Sequence, residues 1–153
     1  MSQALRAYNE LVDRLLPPED RIKFETVIGS MLSGGPPKHV LFYGPEGSGK
    51  TTLMRIIKRL LTMSAVGDGT ARVAFRRSGS RHVNEEMVFN SFVFADTNRF
   101  PEELPPGDIL LQTTGERLPV NKYYVLMELI DYELDAIAEH CIRTYENTLG
   151  NNR

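Results

Sequence analysis

The chain predicts an α/β fold, a three-layer sandwich around a mainly parallel sheet, with helices ahead of the sheet and a long helix at its C-terminal end. Three observations carry this expectation. Apolar residues recur at helical spacing in some segments and form short strand-like runs in others, and the two kinds alternate along the chain. A glycine-rich segment joins one such run, His39–Tyr43, to a helical stripe at Leu53, Ile56, Ile57 and Leu60. With 41% hydrophobic and 25% charged residues among 153, the composition is that of one globular domain able to bury a core.

Taken in order, Leu5, Tyr8, Val12 and Leu15 mark one face of a first helix, which Pro17-Pro18 stops. Glu19 and Asp20 supply the acidic first turn of a second helix. Its apolar face is Phe24, Val27, Ile28 and Met31, and Gly34-Gly35-Pro36-Pro37 ends it. Residues 1–35 thus form an N-terminal helical segment ahead of a core spanning 36–153, within a single compact domain. After the first strand and the helix that follows it, Thr62–Thr70 reads as loop, Arg72–Phe75 as a short strand, Ser78–Asn84 as loop and Glu85–Val88 as a helical turn. Phe89–Ala95 is a mostly apolar run ending in Asp96, the pattern of a buried central strand. Pro101, Pro105, Pro106 and Gly107 mark a turn-rich connection to a further strand at Ile109–Leu111. Finally Leu126, Leu129, Ile130, Leu134, Ile137, Cys141, Tyr145 and Leu149 sustain one helical stripe, with Asn121 as N-cap and Gly150 just past the end.

The chemistry is concentrated in Gly44-Pro45-Glu46-Gly47-Ser48-Gly49-Lys50-Thr51, which fits G-x-x-x-x-G-K-[ST] at every fixed position. Its three glycines let backbone N–H groups approach phosphate oxygens where a side chain would obstruct them. The helix that begins near Lys50 adds its unpaired amides and positive dipole end. The pattern assigns Lys50 to the β and γ phosphates and the Thr51 hydroxyl to Mg²⁺, with Thr52 as packing or a second polar contact. A nucleoside triphosphate, ATP with Mg²⁺, is the ligand expected.

Such a loop needs an acid presented to the metal by a neighbouring strand, and Phe92-Val93-Phe94-Ala95-Asp96 offers Asp96. Thr97 follows it, where many hydrolysing enzymes of this kind carry a glutamate that polarises water, and a threonine cannot serve as that base. A competing reading makes Phe94–Pro101 a sensor strand whose Asn98 positions the attacking water. Glu85-Glu86 are poor substitutes for the acid on sequence grounds, because no apolar strand precedes them. Arg99 and Arg117 follow strand ends, and the sequence orients neither.

The segment His39–Thr52 resembles the Walker A region of AAA+ ATPases, including clamp-loader subunits, and Ile28–Gly34 is similar to what precedes that loop in viral and phage superfamily 3 helicases. Phe94–Pro101 resembles their sensor, or motif C, strand. The resemblance covers about half the chain and implies a P-loop NTPase sandwich, ATP, Mg²⁺, DNA, and often a ring of identical subunits or assembly with other replication subunits. A complete core of that type carries an Asp-Glu strand, an arginine finger and often a helical lid, and this chain is short for all three.

Charge adds one local feature. The formal net charge is -2, so any nucleic-acid contact is local rather than global. Arg72, Arg76, Arg77, Arg81 and His82 form the one basic stretch, suited to backbone phosphate or to a neighbouring subunit's nucleotide, or else to a solvated loop. The last helix is acidic on its polar face and is not a DNA-binding element. Cys141 reads as a small buried hydrophobe, and His39, His82 and His140 have no metal-ligand spacing. No apolar run is long enough to span a bilayer and the N-terminus has no signal-like stretch, a pattern expected of an intracellular chain with no membrane partner. Alternative readings are a small nucleotide kinase whose arginine-rich stretch closes over donor phosphates, and a nucleotide-binding structural or assembly protein without turnover.

Overall fold

A computed structural model describes residues 5–65, 74–77, 85–89 and 91–151. Five helices and five strands run in the order α1 (Arg6–Leu15), α2 (Pro18–Leu32), β1 (His39–Tyr43), α3 (Lys50–Ala65), β2 (Ala74–Arg77), β3 (Glu85–Phe89), β4 (Phe92–Thr97), β5 (Ile109–Gln112), α4 (Val120–Ile130) and α5 (Leu134–Asn151). The strands form one open sheet in the order β2-β3-β4-β1-β5. It is mixed. β1 lies parallel to both β4 and β5, whereas β2/β3 and β3/β4 are antiparallel.

The alternation of helices and strands therefore holds only at the start, because β2 to β5 follow one another without an intervening helix among the described residues. The expected mainly parallel sheet is parallel in just half of its pairings. Glu85–Val88 is strand rather than helical turn, and the apolar run Phe89–Ala95 is two strands, with Phe89 paired to Phe92 across a tight reversal. Ser91 in that reversal has φ 72, a left-handed conformation that a β-hairpin of this length demands and that serine does not announce.

Pairing register sorts the side chains onto two unlike faces. Val40, Phe42, Met87, Phe89, Phe92, Phe94 and Leu111 share one face and are buried with the helices' apolar residues in a single cluster. Phe24 of α2 meets Phe42 of β1 edge to face at 6.2 Å, and Leu53, Ile56, Ile57 and Leu60 of α3 are fully buried. The opposite face carries Leu41, Val88, Val93 and Leu110, all half-buried. The described helices thus pack on one side of the sheet, and no third layer is seen among the described residues.

Punctuation by proline works as the sequence predicts at the N-terminus. Pro17 is the N-cap of α2 and Pro18 its first residue, a position where the missing N–H costs nothing. The two N-terminal helices are tied to the rest by polar contacts at their ends. The Asp20 carboxylate accepts the Gln112 N–H of edge strand β5 at 2.8 Å, and Glu133 accepts the N–H groups of Ala7 and Tyr8, both at 2.9 Å. Between the helices, Glu25 is buried and accepts from the Tyr8 hydroxyl at 2.8 Å and from Arg21 Nε at 2.9 Å, with His140 Nε2 3.0 Å away. A buried carboxylate so partnered holds the α1/α2/α5 junction, since removing one partner strands the others.

The single long C-terminal helix expected from the stripe is in fact two, and its N-cap is Pro119 rather than Asn121. Tyr132 and Glu133 bond back only three residues, to the carbonyls of Leu129 and Ile130, which closes α4. Glu133 supplies the reason, because its side chain leaves the helix to cap α1. Cys141 is fully buried, and burial pushes its thiol pKa up, so it behaves as a hydrophobe. No described helix is long and apolar enough to cross a membrane.

Candidate nucleotide-binding site

The glycine-rich loop emerges at the carboxyl end of β1, where the chain's neighbours on either side are β4 and β5. That position, at the carboxyl ends of adjacent parallel strands, is where open α/β sheets place ligands. The loop is fastened on both flanks. The Gly44 N–H donates to the Thr97 carbonyl of β4 at 3.3 Å, and the Thr113 N–H after β5 donates to Tyr43 O at 2.9 Å. Its turn is closed by the Ser48 N–H on Pro45 O at 3.2 Å. Leu53 N–H then reaches Gly49 O at 3.0 Å, continuing helix α3 from the loop.

Two of the glycines are needed for stated reasons. Gly47, with φ 80, lies under the Arg117 guanidinium, whose carbon would be 3.4 Å from an added Cβ. Gly44 is a close approach, since a Cβ there would fall 1.9 Å from Thr113 Oγ1 and 2.7 Å from Ser48 Oγ. Those two hydroxyls bond each other at 2.8 Å, which turns the buried Ser48 inward as a support for the loop.

Lys50 is 5% exposed. Its ammonium donates to the carbonyls of Gly44 and Pro45 and to Asn98 Oδ1. Burial pulls its pKa below the usual lysine value, while the charges of Asp96 and Glu46 work in the opposite direction. The lysine is thus a desolvated cation held by weak partners at the mouth of an anion cradle, and an incoming phosphate would supply the charge that its surroundings only partly provide.

Asp96 is buried at the end of β4, and Asn98 is exposed two residues on. Both line one cleft of about 590 Å³ with Glu46, Gly47, Gly49, Lys50, Thr51 and Thr52. The two sequence readings of this strand, Asp96 as acid and Asn98 as polar sensor, therefore converge on one place. Thr97 does not join them. Strand alternation turns it to the opposite face, and its hydroxyl is engaged with Arg99, accepting the N–H at 3.0 Å and facing the carbonyl at 3.2 Å.

The far end of the cleft was not legible from the motif. Leu11 and Leu15 of α1 and Leu118, Val120, Tyr123 and Tyr124 at the start of α4 form an apolar wall facing the loop. Tyr123 and Tyr124 meet edge to face at 5.2 Å, and the Tyr123 hydroxyl accepts from Arg55 at 2.9 Å. A polar, cationic end and an apolar, aromatic end within one cleft match the two ends of a nucleotide.

The remaining residues fall elsewhere. Arg76 and Arg77 lie on β2, the edge strand three places from β1, while Arg72 and Arg81 lie outside the described residues, as does His82. Arg99 lines a separate cleft with Leu41, Thr97, Phe100, Glu102 and Glu103. Glu85 and Glu86 open β3, and because β3 runs against β4 they stand at the same end of the sheet as Asp96, with Glu86 opposite Ala95. Register turns Glu86 to the face away from Asp96, and it does not line the cleft.

No group of three His, Cys, Asp or Glu side chains among the described residues is arranged to hold a metal ion alone. Comparisons of the chain with protein-family models, with curated proteins and with solved structures gave no match.

Proposed function

We propose that this chain is a P-loop NTPase that binds ATP with Mg²⁺, an ATPase of AAA+ or superfamily 3 type working on DNA in replication or a related viral process. The observation that carries the reading is the buried Lys50, fixed at the mouth of a glycine cradle and sharing its cleft with Asp96, Asn98 and Thr51. The sheet order supports it, since the cradle, the acid and the asparagine all sit at the carboxyl ends of adjacent parallel strands. In this reading Lys50 holds the β and γ phosphates, the loop amides and the N-terminus of α3 surround them, and Asn98 orients water.

The donor set fits magnesium and does not fit a metal held by protein alone. Mg²⁺ is ordinarily kept by one or two protein oxygens together with substrate phosphates and water, and Thr51 with Asp96 provides that number. The ion would neutralise charge developing on the transferred phosphoryl oxygens.

A second reading has its own support. Thr97 follows Asp96, faces away from the cleft and has its hydroxyl engaged by Arg99, so the strand supplies no carboxylate base. On that ground the chain is a nucleotide-binding assembly component without turnover. Calorimetry with ATP and GTP, followed by steady-state phosphate release with and without single-stranded DNA, separates the two. Binding with DNA-stimulated release supports the ATPase, binding without release supports the assembly component, and absence of binding refutes both. Phosphate transferred only to an added nucleotide would favour the kinase.

A further inference from the structure

Arg117 belongs to the loop between β5 and α4, and no feature of its local sequence aims it. In the fold it lies on the phosphate loop of its own chain. Its Nη2 donates to the Glu46 carbonyl at 3.0 Å, and its guanidinium covers Gly47 at the distance of van der Waals contact with an added Cβ. We propose that Arg117 is a second phosphate-binding cation, acting in cis, that exchanges the Glu46 carbonyl for an oxygen of the bound triphosphate. The inference rests on the nucleotide reading above.

Three features make this placement a built one. The loop carrying Arg117 is pinned just ahead of its turn. Thr113 N–H bonds Tyr43 O, and Thr114 bonds α1 twice, its N–H to Leu15 O at 2.9 Å and its hydroxyl to Arg14 O at 2.6 Å. Gly115, with φ 86, then turns the chain back toward the phosphate loop. Gly47, at φ 80, brings bare backbone under the guanidinium, which an added Cβ would meet only in van der Waals contact. The present partner is also a weak one. Among the described residues a single neutral carbonyl accepts from the five guanidinium donors, and a phosphate offers charge-assisted, bidentate bonding to the same fork.

The position complements Lys50. Lys50 reaches the loop's mouth from within, bonded to Gly44, Pro45 and Asn98, whereas Arg117 is exposed and approaches the loop from its outer side at Glu46-Gly47. A triphosphate seated in the cradle would then be gripped by one buried and one exposed cation. Arg117 reaches this place through contacts to α1, which makes the N-terminal helix part of the binding site.

The test is calorimetry of the full chain with Mg²⁺ and either a non-hydrolysable ATP analogue or ADP. Arg117→Ala is expected to weaken binding of the analogue about 10-fold, the equivalent of one charge-assisted hydrogen bond, and Arg117→Lys to fall between the two. Equal affinity of wild type and Arg117→Ala for the analogue would overturn the inference while leaving the nucleotide reading intact. A wild-type chain that binds neither nucleotide would overturn both. A mixture of Arg117→Ala and Lys50→Ala chains decides between cis and trans action. Weak binding in the mixture supports the cis contact, and recovery of wild-type affinity would show that the arginine is supplied by a neighbour.

Discussion

The two halves of the sheet are built on different plans. In the half formed by β4, β1 and β5 all strands are parallel, and their carboxyl ends present the glycine loop, Lys50, Asp96 and Asn98 together. In the half formed by β2 and β3 the strands reverse, so the position beside β4 is entered from the opposite direction. A parallel strand there would end at this end of the sheet, whereas the reversed strand begins there. If the chain binds nucleotide as proposed, this difference predicts that phosphate capture and water activation are separable. In the proposed reading the residues assigned to the triphosphate and its metal all lie at the carboxyl end of the parallel half, where Thr97 stands at the position of a base.

The strongest way to break this division is to remove the cation of the parallel half. Lys50→Ala is expected to lower ATP affinity by about 100-fold, on the order of 3 kcal/mol, as the loss of charge-assisted bonds to phosphate requires. Isothermal calorimetry reads it directly, and unchanged affinity would sink the phosphate-loop assignment. Next in size is Asp96→Asn. If the acid serves the metal during turnover, phosphate release falls about 100-fold, comparable to losing one preorganised transition-state contact. ATP affinity measured with Mg²⁺ should fall by less than about tenfold, since Lys50 and the loop amides remain. A fall in affinity as large as that of Lys50→Ala would show that binding and turnover are not separable here.

A smaller effect concerns stability. Because burial holds the Lys50 pKa below its unfolded value of 10.5, the folded state binds this proton less readily than the unfolded chain does. The resulting penalty is present in full below the folded pKa and fades as pH rises toward the unfolded value. Ligand-free Lys50→Met, which keeps the stem's packing without the charge, should therefore melt no lower than wild type near neutral pH. Wild type should gain on the variant as pH climbs toward 10.5. A variant melting well below wild type at neutral pH would mean that the carbonyl and Asn98 bonds outweigh desolvation.

The same contrast explains what could be read from the sequence. The glycine loop, its flanking strand and α3 are legible because their geometry is set by adjacent residues, and proline fixes the α1/α2 boundary for the same reason. The reversal between β3 and β4 is hidden, since Asn90-Ser91 interrupts an apolar run without the glycine that a left-handed turn usually advertises. The break after α4 is hidden too, because Asp131-Tyr132-Glu133 contains no breaker and the helix yields to a distant demand, the capping of α1 by Glu133. The apolar wall from α1 and α4, and Arg117 on the loop, arise from tertiary packing of segments far apart in sequence, 71 residues for Arg117 and Glu46 and 100 for Thr114 and Arg14, which no local pattern encodes.

The smallest expected effect bears on the reversed half itself. Register places Glu86 opposite Ala95, on the sheet face away from Asp96, so its carboxylate does not line the nucleotide cleft although its backbone stands at the same end of the sheet. Glu86→Gln should leave ATP affinity unchanged and alter the rate of ATP hydrolysis by no more than about twofold, the usual scale of a substitution outside a site. Single-turnover conversion of ATP to ADP, quenched in acid with the chain in excess over ATP, is the measurement, because it reads the chemical step before product dissociation. A loss of tenfold or more with normal affinity would place a working acid on the reversed strand. Water activation would then have moved from the end of a parallel strand to the beginning of an antiparallel one, with the two halves of the sheet sharing the reaction.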